Sequence, residues 1–301
     1  MNEMVPPSPG ASALGSFADK PVAKFARSLF PLFAKITPDA AANFALKLFL
    51  SPPRVKTPGW ELPFAESAII GTLLVRDKPF RTYTWGRGDR TIVMCHSWGG
   101  RATQLGNFIE PMVAAGFQVV GFDAPAHGAS AGKQTDMMEY SAAINAVVTH
   151  FGPVHGILGH SFGAGNSLFA WHRFGFNVPR MALIGCFSNA TWVTDRFGEI
   201  LGIPKVVLGK MRAALEQRYE GKLNWASLDI GTFAQRFPGE LLMVHDRDDQ
   251  EIPYFHADKI IATAARPGVT LVSTRGQGHR RILRDRQVIT RVADFFRAAD
   301  A

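Results

Sequence analysis

Residues 154–165 read VHGILGHSFGAG: apolar residues lead into a serine at 161 set between Gly159 and Gly163, and the chain runs on into the helical stretch SLFAWHRF at 167–174. A serine hydroxyl is a weak nucleophile, so an acyl-transfer enzyme must hold it exposed, beside a base, with backbone amides aimed at the developing oxyanion. A sharp strand-to-helix turn meets all three needs. It strains the residue at its apex, and glycine at the flanking positions leaves room where a side chain would clash. A helix opening at Phe162 also points free amides and its positive dipole end at the site. In a chain with 29 glycines the five-residue pattern alone arises easily by chance. The strand before it and the helix after it give it weight.

From about residue 67 the chain alternates short β-rich runs with helical stretches. The strand candidates are Ala68–Val75, Arg81–Trp85, Thr91–Cys95, Phe117–Phe122, Val154–Leu158, Met181–Ile184, Leu241–Val244 and Val269–Val272. Several are almost wholly apolar, as strands covered on both faces of a parallel sheet are. The helices between them supply the crossovers, so the expected class is α/β with a mostly parallel central sheet and helices on both faces. Residues 189–237 break the alternation: they hold no convincing strand, and such a length is too great for an ordinary loop. They are expected to form an inserted helical cap between core segments 67–188 and 238–301. Residues 1–16, rich in Pro, Ser and Ala, are expected to be disordered, and 17–66 to form a helical segment followed by a Pro-rich linker. Within 17–66, Pro31 and Pro38 are expected to interrupt the helices.

Composition narrows the setting. The 301 residues are 47% hydrophobic, enough to bury a large core. The balance of 33 basic against 25 acidic residues gives +8, but the basic residues are scattered and form no stripe interleaved with stacking aromatics, so no nucleic-acid partner is expected. The two cysteines, Cys95 and Cys186, lie far apart in apolar runs and read as buried thiols in a reducing compartment. The first residues lack a basic start followed by an apolar run, and no window is long and apolar enough to span a membrane. A cytoplasmic protein is the expectation.

Five motifs then stand in order: MCHSWGG at 94–100, GFDAPAHGAS at 121–130, GHSFGAG at 159–165, VHDRDDQEIP at 244–253 and GQGHRRI at 276–282. Together they resemble the α/β-hydrolase fold superfamily over residues 67 to 301, in particular its serine esterases with a helical cap. The resemblance implies a Ser-His-Asp triad in the order nucleophile, acid, histidine. Ser161 is then the nucleophile and His279 the general base. The acid is Asp249, which stands four residues before Pro253 as in the family, with Asp248 as the alternative; Asp246 is expected to accept hydrogen bonds from the loop backbone or to bind Arg247. The resemblance places the oxyanion-hole amides on Trp98 and Phe162. Two positions depart from the family pattern, which commonly has glycine where Ser97 and Ala126 stand. Ser97 implies either an altered loop or an added hydroxyl in the pocket, and Ala126 a turn that tolerates a side chain. Asp123, His127 and Ser130 are expected to tie their loop together, and His96, His155 and His160 to be hydrogen-bonded scaffold.

The implied activity is cleavage of carboxylic esters through an acyl-enzyme. Thioesterase, lactonase, perhydrolase, carbon–carbon hydrolase, aminopeptidase and acyltransferase chemistry would use the same residues, and a ligand-binding receptor on the same fold is a reading from another class. Ser161 at the apex disfavours the aspartate-nucleophile chemistries. Cap aromatics Trp192, Phe197 and Trp225, with Ser97, are candidate substrate contacts, pointing to small to medium apolar esters. No metal or cofactor motif is present, and none is expected to be needed. The N-terminal helical segment is expected to pack on the core or a partner, the alternative being an anionic membrane surface.

Overall fold

Alternation along the central strands decides which helices each face receives. In the computed structural model, which describes residues 21–298, the strands are β1 (Ile69–Val75), β2 (Lys78–Trp85), β3 (Arg90–Cys95), β4 (Phe117–Asp123), β5 (Val154–His160), β6 (Arg180–Ile184), β7 (Glu240–Asp246) and β8 (Val269–Thr274). They form one sheet in the order β1-β2-β4-β3-β5-β6-β7-β8. The pairs β1–β2 and β2–β4 are antiparallel, and every pair from β4 to β8 is parallel. Residues 1–16, expected to be disordered, lie outside the described residues.

The α-helices of six residues or more are α1 (Pro21–Ile36), α2 (Pro38–Phe49), α3 (Ile109–Ala114), α4 (Met137–Phe151), α5 (Phe162–Phe174), α6 (Ala190–Leu201), α7 (Lys205–Arg218), α8 (Ile230–Arg236), α9 (Phe255–Ala264) and α10 (Arg286–Arg297). Val93, Cys95, Val120, Phe122, Ile157 and Leu183 join one buried cluster, which also holds residues of α4, α5, α9 and the helices between β6 and β7. Their strand neighbours Ile92, Met94, Val119, Leu158 and Ala182 join a second cluster with α3 and α10. Side chains one residue apart point to opposite faces, so an apolar strand covers both. At about 1.5–3 kcal/mol for each large side chain fully removed from water, these two layers dominate the stability.

The N-terminal part differs from expectation at one point. Pro38 does open a new helix, and Thr37, at φ −142°, separates it from α1. Pro31, however, stands inside α1 rather than interrupting it. An interior proline removes one helical hydrogen bond at a cost of about 3 kcal/mol. Phe30 and Ala34 flank Pro31 and are buried in the first cluster, and their packing offsets that cost.

Asp123, at the end of β4, fastens the loops beyond the sheet's carboxyl edge. Its Oδ1 accepts from the Ala102 amide at 2.8 Å, and its Oδ2 from the Ala129 amide at 2.7 Å and the Tyr83 hydroxyl at 3.0 Å. Ser130 Oγ donates to the Asp123 carbonyl and accepts from the Arg81 amide. Asp123→Ala would strand three donors around a buried site. We expect it to lower the free energy of unfolding by about 3 kcal/mol or more in denaturant titration; a loss below about 1 kcal/mol would show that other contacts hold these loops.

Candidate active site

The turn at Ser161 follows from two close approaches of backbone to backbone. Ser161 has φ 55° and ψ −114°, in the region that disfavours a side chain, between the end of β5 and the start of α5. A Cβ on Gly159 would lie 2.6 Å from the Ala164 Cα, and one on Gly163 would lie 2.2 Å from the Cys95 carbonyl oxygen. Both glycines are therefore required by packing, and the helix can sit directly against β3 and β5. The Ser161 amide donates to the Ile184 carbonyl at 2.9 Å, anchoring the apex to β6.

The loops after β7 and β8 bring in Asp249 and His279. His279 lies on the short helix Gly278–Arg281, reached through Gly276 and Gly278 at φ 73° and 61°. Its Nδ1 is 2.7 Å from Asp249 Oδ2, and both residues are buried. Asp249 Oδ1 accepts from the amides of Glu251 and Ile252, each at 2.9 Å, which fixes the carboxylate plane. The neighbouring aspartates are used differently. Asp246 accepts from Thr274 Oγ1 and from the amides of Gln277 and Asp248, while Asp248 accepts from the Gly276 amide at 2.8 Å. Burial alone would raise the Asp246 carboxyl, but these hydrogen bonds and one from the Gly278 amide hold it below the ordinary carboxylate value.

The histidine beside Ser161 holds the neighbouring backbone. His160 Nε2 donates to the His279 carbonyl at 2.9 Å, and the two rings lie 4.7 Å apart. His155 Nε2 donates to the Phe296 carbonyl at 2.9 Å. His96 Nδ1 donates to the Ser97 carbonyl at 2.7 Å, its Nε2 accepts from the Ala124 amide at 3.1 Å, and its own carbonyl accepts from the Tyr140 hydroxyl at 2.6 Å. The His96 bonds fix the loop that carries Trp98.

In that loop the left-handed position falls on Gly99, at φ 70°, two residues beyond position 97, where the family pattern commonly has a glycine. Ser97 is free to carry a side chain, and its hydroxyl donates to Gln104 Oε1 at 3.0 Å. Ala126 does occupy a left-handed position, at φ 66°. The Trp98 and Phe162 rings meet edge to face at 4.9 Å. Among the described residues, neither backbone amide of this pair is taken by a protein hydrogen bond.

One cavity of about 270 Å³ joins these parts. Ser97, Trp98, Ser161, Phe162, His279, Trp192, Phe197 and Trp225 all line it, with Asp249 behind the histidine. No hydrogen bond links Ser161 Oγ to His279 among the described residues. Leu48, Phe49 and Leu50 also line the cavity and were not anticipated, since nothing in the sequence says that a segment more than a hundred residues before the serine returns to it.

Comparison with known proteins bears on the fold that carries these residues. Residues 90–198 match the family model described as alpha/beta hydrolase fold. Among solved structures, an esterase of Pyrococcus furiosus is similar with a TM-score of 0.62 at 17% identity, over 82% of this chain and 95% of that one. An esterase from Exiguobacterium antarcticum is similar with a TM-score of 0.58 at 17% identity, over 76% and 100%. A thioesterase domain from the curacin biosynthetic pathway is similar with a TM-score of 0.57 at 13% identity, over 76% and 98%. No curated protein matches the chain by sequence. No helix among the described residues is long and apolar enough to cross a membrane.

Two measurements test this construction. Gly163→Ala must displace the helix or the Cys95 carbonyl, so we expect a clear fall in melting temperature and loss of Ser161 reactivity; a normal melting temperature would refute the close approach. The second concerns pH. Burial lowers the pKa of His96, His127, His160, His245 and His256, to about 4 for His96 and His256, from the imidazole's 6.5. The fold keeps these rings neutral while the unfolded chain protonates at the ordinary value. Their contribution to stability is thus full above pH 6.5 and is lost as pH falls toward 4. Melting temperatures should drop steeply between pH 6.5 and 4.5, and a flat profile there would contradict neutral burial.

Proposed function

We propose that this chain, which has the α/β-hydrolase fold, is a serine hydrolase that cleaves carboxylic esters through an acyl-enzyme. One observation carries the reading: a serine held at φ 55° on a strand-to-helix turn shares a cavity with a buried histidine whose Nδ1 is 2.7 Å from a buried carboxylate. In the proposed reaction Ser161 Oγ attacks the ester carbonyl while His279 Nε2 takes its proton. Asp249 accepts from Nδ1–H, fixes the tautomer and stabilises the imidazolium. The tetrahedral oxyanion is met by the amides of Trp98 and Phe162, and such preorganised donors are each worth about 3 kcal/mol of barrier. His279 then returns the proton to the leaving alcohol, and water activated by the same ring releases the acid. The open Ser161–His279 contact is compatible with this, because such bonds tighten when substrate binds.

Small to medium apolar esters are the proposed substrates. The helices of residues 189–237 would act as the cap over the site, with Trp192, Phe197, Trp225 and Ser97 touching the bound ester. The similar esterases favour ester cleavage over the other serine chemistries, although the thioesterase-like structure uses the same fold. Two buried thiols, Cys95 and Cys186, support a reducing, cytoplasmic setting.

The direct test is reaction of the purified protein with a fluorophosphonate, followed by peptide mass spectrometry. We expect rapid labelling of Ser161 that His279→Ala abolishes. Absence of labelling in folded protein would overturn the reading and favour a ligand-binding receptor. Asp249→Asn should cost a factor of roughly 10⁴ in kcat, the scale seen when a triad carboxylate is replaced, while Asp248→Asn should cost less than about tenfold. The reverse ranking would move the acid role to Asp248.

A further inference from the structure

The helical hairpin formed by α1 and α2 plays no part in the reaction proposed above, yet its end reaches the cavity. Leu48, Phe49 and Leu50 line it beside the helices inserted between β6 and β7. The Phe49 ring meets the Phe197 ring edge-on, 5.2 Å between centroids at 67°, so α2 and α6 share one wall.

That wall is braced from both sides. Toward the inserted helices, Arg27 Nε donates to the Ile200 carbonyl at 2.7 Å and Lys210 pairs with Asp39 at 2.6 Å. Toward the sheet, the Thr135 amide donates to the Leu50 carbonyl at 2.9 Å and Gln134 Nε2 to the Lys47 carbonyl at 3.0 Å. The following linker is held as well: Arg54 donates to the Ser130 and Gly132 carbonyls, and Arg101 to Thr57 Oγ1 and the Val55 carbonyl. A segment fastened in this way presents its side chains to the cavity at fixed positions, which is what selection by shape requires.

The size and chemistry of the space narrow what it selects. An apolar cavity of about 150 Å³ takes up one benzene, six carbons, so in proportion about 270 Å³ takes up roughly ten heavy atoms. The charged side chains on its wall are engaged with protein partners: Glu251 with Arg280 at 3.1 Å, Arg196 with Glu199 at 3.0 Å, and Asp136 with the Tyr219 hydroxyl at 2.5 Å. An uncharged hydrocarbon chain fits such a surface better than one carrying a carboxylate or phosphate, which would need an unpaired cation.

We infer that the N-terminal hairpin is the acyl-selecting wall of this site and that Phe49 limits the acyl length, so that the preferred substrates are esters of unbranched, uncharged acyl groups of about six to ten carbons. The inference rests on the serine-hydrolase reading for its chemistry and on the cavity alone for its shape.

The test uses the full-length protein and p-nitrophenyl esters from C4 to C14. The quantity read is the ratio of kcat/KM for the C12 ester to that for the C6 ester, because a ratio cancels any change in the active fraction. Phe49→Ala should raise the ratio about tenfold and Phe49→Trp should lower it by a similar factor. A ratio within twofold of the parent protein in both variants, with Ser161 still labelled, would overturn the inference. Should the parent protein fail to label at Ser161, the hydrolase reading falls, and the cavity is then read by tryptophan fluorescence, since Trp98, Trp192 and Trp225 line it. Straight-chain alkanols of four to twelve carbons are titrated, and the chain length giving tightest binding should move up in Phe49→Ala and down in Phe49→Trp. An unchanged optimum would end the inference by that route too.

Discussion

The contact on which the rest of the site depends is the one between the first turn of α5 and the backbone of β3 and β5. It exists because Gly159 and Gly163 have no side chains, with a Cβ at Gly163 only 2.2 Å from a carbonyl oxygen. A helix that begins so close to the sheet forces the chain to reverse within one residue, and Ser161 takes the strained conformation. Strain of this kind costs of order 1–3 kcal/mol and persists only where neighbours over-determine it. Here the Ile184 carbonyl holds the Ser161 amide and the surrounding strands are buried. The same reversal leaves the Phe162 amide at a helix start with no carbonyl to satisfy it, so the geometry that presents the hydroxyl also supplies a donor beside it.

Parallel pairing then gathers the remaining groups. Strands β3, β5, β7 and β8 run in one direction, so the loops after them emerge at the same edge. Ligand sites in such sheets lie beyond the carboxyl ends of the strands for this reason. Trp98 follows β3, Ser161 follows β5, Asp249 follows β7 and His279 follows β8. Other buried polar residues hold two of these loops: His96 the first, and Asp246 and His160 the one that carries His279. Keeping those histidines neutral is part of the arrangement, because a charged imidazole at His160 would place a cation against His279.

Much of this was legible in the sequence, and what was legible had local causes. All eight strands read correctly: in the central ones apolar residues on both faces leave little else for the run to be, whereas the more exposed β1, β2 and β8 are short β-branched and aromatic runs set off from the helical stretches. The reversal at Ser161 was readable because glycine spacing encodes a backbone requirement directly. The three aspartates of HDRDDQEIP were harder, since their roles differ by which hydrogen bonds close around them, and only Asp249 lies within 2.7 Å of His279. Pro31 misled, because helix interruption is a propensity, and burial of Phe30 and Ala34 overrides it. Ser97 looked like a departure from a glycine, yet the left-handed position of this loop is Gly99, so the backbone asks nothing of residue 97 that a serine cannot supply. The hairpin's approach to the cavity was invisible for a simpler reason: it is a tertiary contact between segments with no periodic signature in common.

That last contact separates two properties of the molecule. The groups suited to bond making and breaking sit on loops fixed by the sheet, whose register leaves little freedom. The cavity walls come from α2 and from α6 to α7, elements outside the sheet that touch one another through Phe49 and Phe197, Arg27 and Ile200, and Asp39 and Lys210. Side chains in these walls can change volume without disturbing the Ser161 turn, because none of them takes part in the hydrogen bonds that hold the turn or the Asp249–His279 pair. The proposed acyl preference can therefore be altered independently of the proposed chemistry, and the constraint on the hairpin's inner face is side-chain volume. Substitutions on its inner face are bounded by packing against α6, whereas those at Gly159, Gly163 or Asp123 are bounded by the backbone itself.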